Sequence, residues 1–104
     1  MKTIINKVLE GRKTQKKLEE GIMILLVKMD AYIEALGFAT LTQNRKLQTK
    51  NAAIVMKISE CLKKCMPYCS AEFNMWAGPR LDSLLCLLRF NLSCARVLHK
   101  MSQT

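Results

Sequence analysis

An all-α fold, a small bundle of four to five helices in one domain, is predicted by three observations. Apolar residues recur at i, i+3 and i+4 through long stretches of the chain. Half of the 104 residues are hydrophobic, enough apolar surface to offset the chain entropy lost on folding. Gly11, Gly37, Pro67 and the pair Gly78-Pro79 fall between the periodic stretches, where breakers belong.

The first stretch, residues 3–10, places Ile4, Ile5, Val8 and Leu9 at helical spacing before Gly11 and the basic run Arg12 to Lys17. A break near Gly11 is expected, which makes residues 1–12 a loosely attached segment. From residue 13 to 36, Leu18, Ile22, Leu25, Leu26, Met29, Ile33 and Leu36 draw one stripe along a helix, with Gly37 as the natural stop. Residues 40–44 read as a connector. The period resumes over 46–65 through Leu47, Ala53 or Ile54, Ile58, Cys61, Leu62 and Cys65.

Pro67 cannot sit inside a helix without losing a hydrogen bond, so residues 66–70 form a turn. Ser70 suits the N-cap of a short helix over 70–77. Gly78-Pro79 ends that helix and opens a last one over 80–101, with proline at the first helical position. In this last helix Leu81, Leu84, Leu85, Leu88, Leu92, Ala95 and His99 follow one stripe, and Leu87, Cys94, Leu98 and Met101 a second. A helix apolar over so much of its circumference is central to the bundle or buried between copies. Self-association through this Leu-rich helix is therefore expected.

The chain carries a net charge of +9. Residues 1–64 hold thirteen Lys or Arg and six acids, the remainder four and two, so the first half makes the basic surface. Lys50, Lys57 and Lys64 stand seven apart and so nearly on one line of a helix. With Lys63 they are the candidates for contact with an acidic partner. Nucleic acid or an anionic membrane is the alternative partner, because charge alone does not choose among polyanions. No aromatic is interleaved with the lysines, which disfavours base stacking. Tyr68, Phe73 and Trp76 cluster near the Pro67 turn. Such aromatics fill helix corners more often than they stay exposed, but an exposed Tyr68 or Trp76 would mark a partner-binding site.

Residues for catalysis are scarce: one histidine and eight carboxylates, most of them on polar faces. His99 is better explained as a cation at a helix C-terminus. Cys61, Cys65 and Cys69 lack the paired knuckles of structural zinc, and a redox sensor would need a thiol pKa lowered by Lys63 and Lys64. We therefore expect no enzyme, no catalytic residues, no metal site and no cofactor. The odd number of cysteines and the lack of a secretory leader point to reduced thiols and an intracellular setting. The longest apolar run, residues 22–27, is far below the roughly 20 residues needed to span a bilayer.

From Lys46 onward the chain resembles the C-terminal half of paramyxovirus C proteins, small accessory products of the phosphoprotein gene. The likeness lies in Lys46-Leu47-Gln48 running into Ala52-Ala53-Ile54-Val55-Met56-Lys57, a proline-containing turn, Phe73-Asn74-Met75-Trp76, and the Leu-rich terminal helix. It covers about the last 60 residues and transfers no site residue. The resemblance implies a virulence factor of the host cytoplasm, with the nucleus as a second compartment. Such a factor blunts interferon signalling and modulates viral RNA synthesis through contacts with host signalling proteins and with viral polymerase or nucleocapsid components. It also implies a longer protein with an arm ahead of Met1.

Overall fold

The stripe from Leu18 to Leu36 lies on a single unbroken helix. The computed structural model describes residues Lys2–Gln103, with side-chain surroundings for residues 6, 7 and 10–101. Helix α1 spans Lys2–Leu41, α2 Arg45–Cys65 and α3 Ala71–Gln103, with a 3₁₀ turn at Met66–Tyr68. The fold is all-α. Three long helices and one short turn stand where four to five helices were expected.

Each difference has a physical cause. Gly11 lies inside α1, because a glycine costs only about 1 kcal/mol against alanine and its Lys, Arg, Gln and Glu neighbours are good helix formers. Residues 2–12 therefore continue through Gly11 as helix, without the expected break. Gly37 does not stop α1 either. The helix ends one turn later, where Gln43 takes a left-handed φ of 55°. The Asn44 N–H donates to Ala39 O at 2.9 Å and the Gln43 N–H to Thr40 O at 3.2 Å, the paired closure of a Schellman motif. Asn44 then opens α2, its Oδ1 accepting the Leu47 N–H at 3.2 Å. One residue thus closes α1 and starts α2, which turns the chain back on itself.

Ser70 is an N-cap, as its position predicts, with its Oγ accepting the Phe73 N–H at 3.1 Å. The Ser70 N–H and hydroxyl both donate to Glu19 Oε2 at 3.1 Å, which ties the start of α3 to α1. The helix it opens does not end at Gly78-Pro79. Pro79 lies inside α3 on the exposed side, while Ala77 and Leu81 on either side of it are buried. Burial of that stripe outweighs the defect.

The helices run up, down and up. Glu19 meets Ser70, Asp30 meets Arg80 at 3.6 Å and Gly37 lies beside Asn91, so α1 and α3 are parallel. Arg45 meets His99, so α2 opposes both. The core joins Ile22, Leu26, Met29, Ile33 and Leu36 of α1 to Val55 and Leu62 of α2 and to Ala77, Leu81, Leu84 and Leu88 of α3. The central element is therefore α1, packed against both neighbours, while α2 and α3 touch sparingly. The last helix was expected in that place, but one flank of α3 is left uncovered.

The buried face of α2 also differs from its apolar pattern. Asn51, Val55, Ser59 and Leu62 are buried, whereas Leu47, Ala53 and Cys61 are exposed. Two polar residues conceal the true stripe. The Ser59 hydroxyl is satisfied by Met56 O at 2.8 Å, whereas Asn51 Nδ2 is buried with no partner among the described residues, at a cost of about 1–3 kcal/mol. The molecule measures 73 × 21 × 16 Å. Its length comes from α1, whose described side chains from Asn6 to Thr14 are exposed. Gln15 Nε2 donates to Tyr68 O at 3.2 Å, a hydrogen bond from α1 to the 3₁₀ turn.

Candidate protein-binding groove

Where α2 and α3 face one another, small side chains midway along the helices leave a gap. Ala52 and Ala53 of α2 lie across from Ala95 of α3, and together with Thr49, Met56 and Leu92 they floor an open groove of about 470 Å³. Both helices are held by α1 instead. Arg45, Arg96, His99 and Gln48 line the same groove and no carboxylate does, so its polar groups are cationic or neutral. Arg45 Nη2 and His99 Nε2 are 2.8 Å apart. A guanidinium can only donate, which makes Nε2 the acceptor. His99 thus ties α3 to the start of α2, and the basic residue of the last turn is Lys100.

A floor of alanine and threonine lets another backbone approach closely, and two arginines offer planar forks to carboxylates. An acidic amphipathic helix fits that chemistry. A small anionic metabolite fits poorly, because nothing encloses it.

The residues proposed from sequence do not assemble into one site. Lys50, Lys57, Lys63 and Lys64 are all exposed, and none of them lines a groove described here. Lys50, Lys57 and Lys64 run along the back of α2, away from the core residues Val55 and Leu62. Tyr68 is 73% exposed and lines a shallow hollow with Arg12, Gln15 and Leu18. Trp76 is 51% exposed and lines another with Met23, Val27 and Arg80. Both aromatics therefore depart from the role of core plug, which falls to Phe73 alone. Phe73 packs against the core and tilts against Trp76 at a centroid distance of 5.7 Å. Sequence reasoning missed Arg45 and Arg96. Each is remote from the lysine runs in sequence, and only the antiparallel pairing of α2 with α3 brings them to one groove.

Neither Cys65 nor Cys69 has the lowered thiol pKa that a redox sensor needs. Burial pushes the Cys65 thiol up from its ordinary value of 9.0, and neighbouring Cys61 raises it further. Burial likewise raises Cys69, with the Glu19 carboxylate and Cys65 adding to the effect. Among the described residues no group of three or more His, Cys, Asp or Glu side chains is placed to hold a metal ion.

A thiol whose pKa is raised by folding favours the folded state only while protonated. That contribution is complete at neutral pH and is lost as the pH climbs past 9.0 through the raised values. Denaturation midpoints should therefore fall between pH 8 and pH 10. The fall should be shallower in Cys69→Ala, compared at each pH with its own neutral-pH midpoint; an identical slope would reject the assignment.

No family model matches the chain, and neither a curated protein nor a solved structure matches it. Among the described residues no helix is long and apolar enough to cross a membrane.

Proposed function

We propose that this chain is a non-enzymatic binding module that seats an acidic helical segment of a partner protein in the groove between α2 and α3. One observation carries the proposal: an alanine-floored groove lined by Arg45 and Arg96 and by no acid. The finer reading comes from the resemblance to paramyxovirus C proteins. On that reading the module is a viral accessory factor of the host cytoplasm. It antagonises interferon signalling and modulates viral RNA synthesis by engaging host signalling proteins and viral polymerase or nucleocapsid components.

The lysine line takes a different part in this scheme from the arginines. Charges outside a contact steer encounter, whereas charges within it hold the complex. Arg45→Glu with Arg96→Glu should reduce partner capture from transfected host cells by about 10-fold or more, as expected for truncated or reversed contact pairs, and should release an interferon reporter. Lys57→Glu with Lys64→Glu should slow association and weaken its salt dependence, with little change in dissociation rate. Equal capture by wild type and the arginine variant would reject the groove.

A second reading draws on the exposed line Lys50, Lys57 and Lys64: a basic module that binds nucleic acid or anionic membrane without sequence preference. Binding to plain RNA or acidic liposomes, steeply salt-dependent and abolished by the lysine reversals alone, would favour it.

A further inference from the structure

The third edge of the bundle, where α1 and α3 run side by side, is built differently from the α2–α3 edge. On α3, Leu87, Phe90, Cys94, Val97 and Met101 alternate at spacings of three and four, the seam of a helix that expects another helix against it. Yet these side chains do not face the core. Phe90 is 65% exposed, Val97 56%, Met101 66% and Leu87 46%. Leu41 of α1 is exposed beside them. Between the two helices runs a groove of about 530 Å³ floored by Gly37, Thr40 and Leu98, with no charged side chain in its lining.

We infer that this face is the contact between two copies of the chain, related by a two-fold axis. Three features select a second copy as the occupant. A two-fold interface must carry knob and hole on the same patch, and here exposed Phe90, Val97 and Leu41 both line the groove and rise beside it. The apolar stripe from Leu87 to Met101 runs about 21 Å along α3 on a face two helices wide, about 20 Å. That is on the order of 400 Å² per copy, about half of the roughly 800 Å² that a standard stable interface takes from each partner, the size of a weak, reversible dimer.

Charge placement agrees. Two chains of +9 each repel, and this groove is free of cations, while the line of Lys50, Lys57 and Lys64 lies on the far side of the triangular bundle. The pairing would also leave the α2–α3 groove of each copy open, so that the assembly presents two arginine-lined grooves to a partner and gains by multivalency. The pairing itself does not depend on the function proposed above.

Sedimentation equilibrium on the full chain, from micromolar to submillimolar concentration, tests it. The wild type should form a discrete dimer. Phe90→Asp with Val97→Asp, at two exposed positions, should be monomeric with unchanged helix content, the dimer dissociation constant rising by about 100-fold or more because each substitution acts twice across the axis. Phe90→Ser with Val97→Ser should weaken the dimer in the same direction, and it replaces the aspartates should those perturb folding. Arg45→Glu with Arg96→Glu should leave the dimer intact, so that loss of partner capture and loss of pairing are read separately. A chain monomeric throughout that range, or a dimer indifferent to substitutions at Phe90 and Val97, overturns the inference.

Discussion

Replacing Leu36 by alanine should destabilise the protein by about 2–5 kcal/mol, the range for emptying a fully buried leucine site. It should also lower the melting temperature by on the order of 10 °C or more. The whole stability of a chain of this size is about 5–15 kcal/mol, so one such change removes a large part of it. Leu36 is completely buried and sits on α1, the only helix that holds both others. A cavity there loosens α2 and α3 together, and α2 and α3 have little contact with each other to compensate. Leu41, one turn further on, is 78% exposed, and Leu41→Ala should change folding stability by no more than about 0.5 kcal/mol. Urea denaturation followed by far-UV circular dichroism, at a concentration where the chain is monomeric, compares the two. Equal effects would mean that α1 is not the hub of the fold.

The same helix shows how far periodicity alone reaches. Ile22, Leu26, Met29, Ile33 and Leu36 are buried as their spacing demands, because on a helix packed from two sides the apolar stripe and the buried stripe coincide. On α2 they part company. Asn51 and Ser59 are buried because α1 lies against that side of the helix, and a pattern made of apolar residues passes over them in favour of Leu47 and Cys61. Breakers were the other source of error. Glycine and proline mark where a helix is weakened, and whether it ends depends on what is buried beyond the mark. Past Gly37 lie Ala39 and Thr40, both buried, so α1 goes on to a left-handed residue that no glycine supplies.

The candidate site was legible only in its chemistry. Excess cationic charge and a cluster of aromatics near the Pro67 turn are visible along the chain, but that Tyr68 and Trp76 stay exposed is not. Which cations share a surface is not. Lys50, Lys57 and Lys64 announce themselves by spacing along one helix, whereas Arg45 and Arg96 come to one groove only because α2 reverses at Asn44 and runs against α3. The groove itself has no sequence signal beyond a few alanines, since small residues in a helix look like good helix formers whether they face a neighbour or a void.

Pro79 offers the sharpest test of continuity in α3. Its ring removes the N–H that would donate to the Met75 carbonyl and crowds that carbonyl, a defect of about 3 kcal/mol in a helix interior. The helix persists because Ala77, Leu81 and Leu84 stay on one buried stripe across the defect and because Ser70 anchors the N-terminus to Glu19. Pro79→Ala restores the donor, and the gain is offset by the greater freedom of the unfolded chain, about 0.4–1 kcal/mol. The net expectation is stabilisation by about 1–3 kcal/mol, with slower amide exchange over residues 75–83. Were α3 instead two helices meeting at Gly78-Pro79, proline would sit at a first-turn position where its missing N–H is harmless. Pro79→Ala would then be neutral or destabilising. The sign of that one measurement decides whether Trp76 and Met101 ride on the same rigid rod.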